Sequence, residues 1–416
     1  MCASEFQIGY LTADEPGIGG IVRAHAADFR VLEIPLYGPS GRGQHTMFEI
    51  EKRGLSTPEA IQHLARAWHI SPRQIGMAGL KDARAVTRQI LTVEGIPPEV
   101  VLAYRFPTPQ SPDEPALRVL WAERHHNRLK IGHLKGNRFT IRIRGVSLEA
   151  LPQAGRILEI LRRRGVPNGF GPQRFGQRHT SHLLGQSIVR GDLAAFYHFL
   201  LGGPQPGDRE DVLRARQSFD EGDLPSALRL WPRSVQPEYR VLAALAEGIS
   251  PQQIFRRFPR HLKRLYISAY QSHLFNRLLA ARLPKLDDIQ EGDLAIKHEN
   301  GAFFLVQDAK QERPRVARLE ISASGPLYGP KVRLAQSKPG EAERRLLIEE
   351  GLLLEDWRIG GVRLPGGRRP FRVPISEIDV TYNEGLVLHF NLPAGAYASN
   401  VISEIVKSRA PIGLES

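Results

Sequence analysis

Apolar and polar residues alternate in four segments near the start of the chain. The segments are DFRVLEIP (28–35), TMFEIEK (46–52), TRQILTVEG (87–95) and RFTIRIRGV (138–146). Alternation with a period of two predicts strands that bury one face. In the last segment, Phe139, Ile141 and Ile143 would face a core, and the arginines between them would form a basic outer face.

Apolar residues recur at helical spacing in other segments. STPEAIQHLARAWHI (56–70) predicts a helix with Thr57 as its N-cap and Pro58 as its first helical residue. LEALPQAGRILEILRRRG (148–165) predicts a helix that ends at Gly165. Beyond Gly165 the chain is mostly helical, as in RQSFDEGDLPSALRLW (216–231) and LYISAYQSHLFNRLLAARL (265–283). The shorter GAFFLVQD (301–308) and PKVRLAQ (330–336) predict further strands.

The end of the chain returns to strand-like alternation. ISEIDVTYNEGLVLHFNLP (375–393) predicts a hairpin with its turn at 382–385, and ASNVISEIVKS (398–408) predicts a closing helix. The fold class is therefore α+β. Since β-rich segments lie on both sides of a mostly helical one, we expect residues 165–369 to be a domain inserted into a first domain made of 1–164 and 370–416.

The amino-acid composition gives the chain a high positive net charge. The 416 residues include 57 Lys+Arg against 44 Asp+Glu, a net charge of +13, which favours a polyanionic partner. The single cysteine, Cys2, excludes an internal disulfide and a cysteine-cluster metal site. No apolar run reaches membrane-spanning length and the first residues lack the pattern of a signal peptide, so we expect a cytoplasmic protein without a membrane partner.

The positive charge is concentrated in four clusters that contain no acidic residue. They span residues 124–144, 161–182, 255–264 and 364–372, and the first two carry seven and five Lys/Arg. Cations interleaved with aromatic and amide side chains are typical of RNA-binding surfaces, where phosphates and bases are both contacted. The alternative is that the four clusters are ordinary solvent-exposed basic surfaces that bind no RNA.

Most familiar catalytic motifs are absent from the sequence. There is no HExxH, P-loop, GxGxxG or DxDxDG segment, and the histidines of the basic loops (His125, His126, His179 and His182) suit phosphate contact better than metal ligation. The remaining candidate is Asp82, in GMAGLKDARAVTRQ (76–89), where Gly76 and Gly79 would allow close approach. An aspartate is ionised at neutral pH and can act as a nucleophile or base. It is also a standard turn residue, and spacing alone leaves both interpretations open.

Several segments resemble one enzyme family. AGLKDARAVTRQ (78–89) resembles the signature AG-x-KD-x-x-AVT-x-Q of the TruD family of pseudouridine synthases. Further segments are similar to the family in its own order along the chain: ADFRVLEIPLYGPSGRGQHTMFEIEKRGLST (27–57), RLKIGHLKGNRFTI (128–141), GVPNGFGPQRFG (165–176), SAYQSHLFNRLLAARL (268–283) and LPAGAYASNVISEIV (392–406).

The resemblance implies a reaction and a fold. The family isomerises uridine to pseudouridine in tRNA, at position 13 of the D arm, without a metal or another cofactor. Its fold is a catalytic domain with a mixed, mainly antiparallel sheet and flanking helices, interrupted by an inserted α+β TRUD domain. Asp82 matches the catalytic aspartate, which acts at the ribose of a flipped-out uridine, either by attacking C1′ or by removing the C2′ proton.

The resemblance also implies substrate-binding residues. Phe139 matches the aromatic residue that stacks on the base, and the alternative is a core residue that shares a strand face with Ile141 and Ile143; Asn137 matches its polar neighbour. Arg23 matches a basic residue that would keep Asp82 ionised and contact phosphate; the alternative is a solvated arginine. Lys81, which precedes Asp82 in the chain, is also expected to bind substrate. Sequence neighbours in an extended chain point to opposite faces, so we expect no direct pairing between Lys81 and Asp82.

The glycine-rich loop at 165–176 would approach RNA where the inserted domain begins. Its candidate residues are Asn168, Phe170, Gln173 and Arg174, with Phe175 beside them. Gly169 stands where the family usually has tyrosine, which puts in doubt whatever that ring contributes.

Two functions of other classes remain as alternatives. A non-catalytic RNA-binding or chaperone protein would keep its function when Asp82 is changed to alanine. A carboxylate-dependent hydrolase would cleave RNA or release a base, and would usually need a metal or a second essential carboxylate.

Overall fold

The chain divides into two compact units, which we describe separately. The structure, a computed structural model, describes residues 8–111 and 114–407, so Cys2 lies outside the described residues. The sheet unit consists of Tyr10–Val166 and the chain from Val373 onward. The helical unit consists of Pro167–Arg372 together with Ile8 and Gly9.

The strands of the described residues are numbered in chain order. They are β1 Ile21–Val22, β2 Phe29–Pro35, β3 His45–Arg53, β4 Ile75–Met77, β5 Val86–Glu94, β6 Ala116–His125, β7 Leu134–Arg144, β8 Val166–Pro167, β9 Leu294–Lys297, β10 Phe303–Leu305, β11 Ile321–Leu327, β12 Gly367–Pro370, β13 Arg372–Val373, β14 Ser376–Tyr382 and β15 Leu386–Pro393.

The α-helices of the same residues are also numbered in chain order. They are α1 Thr57–Ala67, α2 Pro98–Leu102, α3 Ala150–Arg164, α4 Ser181–Arg190, α5 Leu193–Leu201, α6 Glu210–Asp220, α7 Leu224–Leu230, α8 Glu238–Ala246, α9 Pro251–Arg257, α10 Arg260–Arg282, α11 Ala309–Ala317, α12 Ser337–Glu349 and α13 Ala398–Val406. Within residues 8–111 and 114–407, no helix is both long enough and apolar enough to cross a membrane.

The sheet unit is built on a mixed, mainly antiparallel sheet. Its strand order is β14-β15-β7-β2-β5-β3-β6, with β1 beside β7 and β4 beside β5. β2 and β5 are parallel, and the other pairs in this sheet are antiparallel. The predicted C-terminal hairpin is confirmed, because Tyr382 pairs with Leu386 across its turn.

One face of this sheet is apolar because its strands alternate as predicted. Phe139 is 6% exposed and Ile141 and Ile143 are fully buried, whereas the intervening Arg142 and Arg144 are partly exposed. The buried residues Ile61 and Leu64 place α1 in a cluster with Phe48, Ile50 and Leu91 of β3 and β5.

The start of α1 differs from the prediction. Its N-cap is Ser56 rather than Thr57: the Ser56 hydroxyl accepts a hydrogen bond from Glu59 N, and Glu59 Oε2 accepts one from Ser56 N at 2.7 Å. Thr57 is the first helical residue and is fully buried, with its hydroxyl bonded elsewhere. Both residues can cap a helix, and the reciprocal bonds with Glu59 favour Ser56.

The helical unit surrounds the long helix α10. Buried residues of α10, including Tyr270 and Leu274, share a cluster with Leu184 and Ile188 of α4 and with Trp357. Beside it lies an antiparallel four-stranded sheet in the order β10-β9-β11-β12. The prediction of helices around 216–231 and 265–283 and of a strand within 301–308 is confirmed.

The predicted strand at 330–336 is wrong. The segment is irregular because its backbone bonds to separate places rather than to one neighbouring strand. Lys331 N donates to Pro365 O at 2.9 Å, and Gln336 N donates to Gly292 O at 2.8 Å. The alternating apolar residues of this segment, Val332 and Leu334, pack in the main apolar cluster of the helical unit without a neighbouring strand.

Candidate active site

Asp82 lies in the loop that leads into β5, and its carboxylate faces solvent. Its side chain is 51% exposed, and Asp82 Oδ2 accepts a hydrogen bond from Arg23 Nη2 at 3.0 Å. The Arg23 guanidinium also lies 4.1 Å above the centre of the Phe29 ring. Arg23 has a φ of 62°, a left-handed conformation that is uncommon for a residue with a side chain. The pair therefore brings a reachable anion beside a cation whose position is fixed.

A buried lysine holds the main chain of this loop from below. Lys52, on β3, is 1% exposed, and its ammonium donates hydrogen bonds to Leu55 O at 2.7 Å, Asp82 O at 2.9 Å and Lys81 O at 3.2 Å. Burial lowers the pKa of Lys52 to about 8, and the Asp82 carboxylate opposes that shift. Lys52 thus fixes the backbone at the candidate nucleophile without contacting its carboxylate.

Two further buried side chains anchor the same loop. Thr57 Oγ1 accepts a hydrogen bond from Lys81 N and donates to Gln89 Oε1, both at 2.8 Å. Gln89 Nε2 donates to Gly79 O at 3.3 Å. Thr57 and Gln89 are fully buried, so these bonds are shielded from water.

Lys81 points away from Asp82, into the unit. Its ammonium lies 2.6 Å from Glu33 Oε2, and the two side chains are 6% and 1% exposed. Glu33 Oε1 also accepts a hydrogen bond from Ile90 N at 3.3 Å. A contact between Lys81 and substrate would require this buried pair to separate, and the substrate-binding role of Lys81 stays a prediction.

The two glycines before Asp82 differ in what they allow. A Cβ on Gly76 would lie 2.5 Å from Thr92 Oγ1 and 2.7 Å from Leu129 O, so this glycine allows close packing of the protein's own residues, and its role in admitting a substrate stays a prediction. A Cβ on Gly79 would lie 3.5 Å from Lys81 Nζ, which is ordinary contact. Gly76 is needed for packing beneath the loop, whereas Gly79 is not.

Phe139 and Asn137 lie on the buried face of β7. The Phe139 ring is stacked on Phe390 with centroids 5.4 Å apart and meets the edge of Phe29 at 6.3 Å. Asn137 Oδ1 is buried and accepts no hydrogen bond within the described ranges. Because Phe139 is 6% exposed, stacking on a base would require its ring to gain exposure, and both roles stay predictions.

The candidate residues of the glycine-rich loop lie in the helical unit. Asn168 is 3% exposed and donates to Pro370 O at 3.0 Å, while Phe170 is 8% exposed and packs edge-on against Phe275 at 5.7 Å. Arg174 Nε donates to Ser272 Oγ at 3.1 Å, and Gln173 is exposed. Asn168 and Phe170 thus support this unit, and RNA contact by the four residues stays a prediction.

A side chain at Gly169 would require Ile8 to move. A Cβ there would clash with Ile8 Cδ1, the end of a flexible side chain, and would make ordinary contacts with Leu279 and Asn276. At the position where the family usually has tyrosine, this chain has a glycine, and the side chain of Ile8 lies beside it.

Two arginines of the fourth basic cluster have buried side chains and a third, Arg369, is partly exposed, so RNA contact by this cluster stays a prediction. The Arg368 side chain is 1% exposed and lies 2.8 Å from Glu343 Oε1. Arg372 is 1% exposed and donates to Val316 O at 2.7 Å, and Arg369 donates to Asn168 O at 2.9 Å. These arginines are structural because acceptors distant in sequence satisfy them.

Sequence reasoning missed Lys52, Glu33, Thr57 and Gln89. A signal was present in the alternation: Lys52 continues the inward positions of Phe48 and Ile50, and Glu33 continues those of Phe29 and Val31. An ionisable residue at an inward strand position must be paired or hydrogen-bonded, so it indicates a buried polar network.

Comparisons with known proteins agree with this geometry. A family model described as tRNA pseudouridine synthase D (TruD) matches residues 5–405. The chain belongs to the TruD family. It is 45% identical to a tRNA pseudouridine synthase D of Geobacter metallireducens over 97% of this chain and 98% of that protein. For the same enzyme of Geobacter sulfurreducens, the identity is 43% over 98% of both chains.

A solved structure with the same fold supports this membership. The crystal structure titled as the putative TruD of Methanosarcina mazei superposes with a TM-score of 0.81 and 28% identity, covering 96% of each chain. The predicted family, the α+β fold and the assignment as a pseudouridine synthase acting on tRNA are therefore confirmed.

Proposed function

We propose that this TruD family member converts the uridine at position 13 in the D arm of tRNA, and that Asp82 is its catalytic residue. The observation that carries the proposal is the placement of Asp82: a half-exposed carboxylate on a loop whose main chain is held by Lys52, Thr57 and Gln89. A catalytic carboxylate needs its main chain held in one position, and these three buried side chains supply that support.

The reaction moves uracil from an N-glycosidic to a C-glycosidic bond. The bond between N1 and C1′ breaks, a bond between C5 and C1′ forms, the C5 proton leaves and N1 ends protonated. Asp82 can begin this by attacking C1′ or by removing the C2′ proton, and both routes need an ionised carboxylate that can reach the ribose. Its exposure of 51% provides that access.

The groups around Asp82 would bind the flipped-out uridine. Arg23 orients the carboxylate and offers its remaining guanidinium surface to a phosphate. Phe139 and Phe29 provide aromatic surface for the base once their rings gain exposure. Asn137 Oδ1 supplies an acceptor, and leaving it unsatisfied costs about 1–3 kcal/mol, which a donor on the substrate would relieve.

In the helical unit, further cations would contact RNA phosphates. Arg256, Arg257, Arg260 and Arg264 are exposed, as is Gln173 in the glycine-rich loop. Asn168, Phe170 and Arg174 would hold the glycine-rich loop in the position from which it contacts RNA. Position 13 rests on the sequence resemblance, and a tRNA substrate supports the expectation that the enzyme works in the cytoplasm.

The experiment compares wild type with Asp82→Asn and Asp379→Asn on a tRNA transcript. Asp379 is an exposed aspartate of β14 and serves as the matched control. Pseudouridine is mapped by carbodiimide labelling and primer extension, and binding is measured separately. We expect wild type and Asp379→Asn to modify position 13, and Asp82→Asn to bind the tRNA without modifying it.

Two results would contradict the proposal in different ways. Pseudouridine formation by Asp82→Asn would show that another residue carries the reaction. Pseudouridine at a different position would leave the catalytic role of Asp82 intact but would contradict the D-arm target. The check is that this product still forms in a transcript that carries cytidine at position 13.

A further inference from the structure

Leu80 is an exposed apolar side chain two residues before Asp82. It is 66% exposed, whereas the neighbouring Lys81 is 8% exposed. Asp82 is again exposed, so burial alternates through the loop and Leu80 and Asp82 share its solvent side. Single exposed leucines are common on protein surfaces, so exposure alone assigns nothing.

The main chain around Leu80 is held on both sides. Gly79 O accepts from Gln89 Nε2 at 3.3 Å, and Lys81 N donates to Thr57 Oγ1 at 2.8 Å. Lys52 then binds Lys81 O and Asp82 O. The same network that positions the candidate nucleophile therefore presents Leu80 at a fixed place beside it.

A base that leaves its stack leaves neighbours without a stacking partner. Proteins that deform nucleic acid commonly insert an apolar side chain such as leucine between base steps. Enzymes acting on a flipped base must also hold the nucleotide outside the stack during the reaction. An apolar wedge is most useful next to the group that reacts with the flipped nucleotide, and Leu80 occupies that position.

We propose that Leu80 enters the RNA stack at the place vacated by the target uridine and keeps that nucleotide extruded toward Asp82. This inference rests on the proposed function of Asp82. Leu80 acts as a positioning residue, because it touches the neighbouring bases rather than the reacting atoms.

The first test compares Leu80→Ala, Leu80→Met and Leu148→Ala on two substrates. Leu148 is an equally apolar residue of the sheet unit, 60% exposed, and is the matched control. One substrate is the tRNA in which wild type forms pseudouridine; the other carries an abasic ribose on the 3′ side of that uridine. The measured quantity is the single-turnover rate, with thermal unfolding as a check on folding.

We expect Leu80→Ala to lose about tenfold or more on the intact tRNA and no more than about threefold on the abasic one. Leu80→Met keeps apolar volume and should restore most of the rate, and Leu148→Ala should behave as wild type. An equal loss on both substrates, or no loss on the intact tRNA, would overturn the proposal.

The second test separates this inference from the catalytic role of Asp82. In the Asp82→Asn background, 2-aminopurine beside the target uridine reports unstacking through increased fluorescence. We expect the increase with Asp82→Asn and its loss with the double variant Leu80→Ala/Asp82→Asn. An increase in both would overturn the wedge, whereas pseudouridine formation by Asp82→Asn alone would overturn the proposed function instead.

Discussion

Replacing Lys52 with methionine should impair catalysis more than folding. The substitution keeps an unbranched side chain but removes the donor that holds Leu55 O, Lys81 O and Asp82 O. The bonds to Leu55 O and Asp82 O, at 2.7 and 2.9 Å, are shorter than the 3.2 Å bond to Lys81 O, so Leu55 O and Asp82 O are the carbonyls most affected. The loop that carries Asp82 would then lose its support from β3.

The magnitude follows from two opposing contributions. Two buried carbonyls that lose a donor cost about 1–3 kcal/mol each, or about 2–6 kcal/mol together. Methionine avoids the cost of burying an ammonium. The pKa of Lys52 is lowered from 10.5 to about 8, and this difference corresponds to a cost of about 3 kcal/mol for burying the charged form. The net change in unfolding free energy should therefore be small, between a gain of about 1 kcal/mol and a loss of about 3 kcal/mol. A displacement of Asp82 by about 1 Å would nevertheless reduce kcat by about 10²-fold.

The assay measures thermal unfolding and pseudouridine formation, with kcat and KM determined separately. Lys263→Met is the matched control, since Lys263 is a lysine of α10 that is 4% exposed and whose pKa burial also lowers. We expect Lys52→Met to lose kcat with little change in KM, and Lys263→Met to keep kcat. An undiminished kcat in folded Lys52→Met would refute the positioning role.

The same lysine should produce a pH dependence. Because its folded pKa is near 8 and below its unfolded value, the folded state binds fewer protons between pH 8 and 10.5, and this group raises stability as pH increases through that range. Loss of the ammonium charge above pH 8 should weaken its bonds to the loop. Wild-type kcat is therefore expected to fall above pH 8, and a similar fall in Lys52→Met would assign it to another group.

Three further predictions concern neighbouring contacts. Glu33→Met should destabilise the protein by about 3–5 kcal/mol because it leaves Lys81 buried without its partner. The double variant Glu33→Met/Lys81→Met should recover most of that loss in thermal unfolding. Equal destabilisation of the single and double variants would count against the importance of the ion pair. Arg23→Gly should have a melting temperature no lower than that of Arg23→Ala, because glycine suits a φ of 62°. Both variants should lose activity. A lower melting temperature for the glycine variant would argue against strain at this residue. Gly76→Ala should lower the unfolding free energy by about 1–3 kcal/mol through clashes, whereas Gly79→Ala should leave it nearly unchanged, and similar melting temperatures for the two would contradict the packing argument.

The local pattern predicted the framework of the sheet unit well. Strands β2, β3 and β5, the C-terminal hairpin and α3 lie where periodicity placed them. In β2 and α3 the pattern reflects one buried face, whereas β5 is buried continuously from Gln89 to Val93. The pattern failed at 330–336, where apolar residues are buried without a neighbouring strand. Burial of alternate residues is necessary for a half-buried strand but does not supply its hydrogen-bonding partner.

Charge predicted the partner class better than it predicted individual contacts. The arginines at 368, 369 and 372 belong to a basic cluster in the sequence, yet they bind acceptors such as Glu343 and Val316 O. Those acceptors lie far from the cluster in sequence, so no local pattern reveals them. The support of Asp82 was hidden for the same reason, since Lys52, Thr57 and Gln89 converge on its loop only in the folded chain.

Tritium release tests the central claim most directly. In tRNA labelled with tritium at C5 of uridine, formation of the C5–C1′ bond releases the label to water, so the signal reports the isomerisation itself. We predict that wild type releases one tritium per tRNA and that Asp82→Asn releases none while still binding. Release by Asp82→Asn at the wild-type rate, or no release by wild type from a tRNA that it binds, would contradict the account.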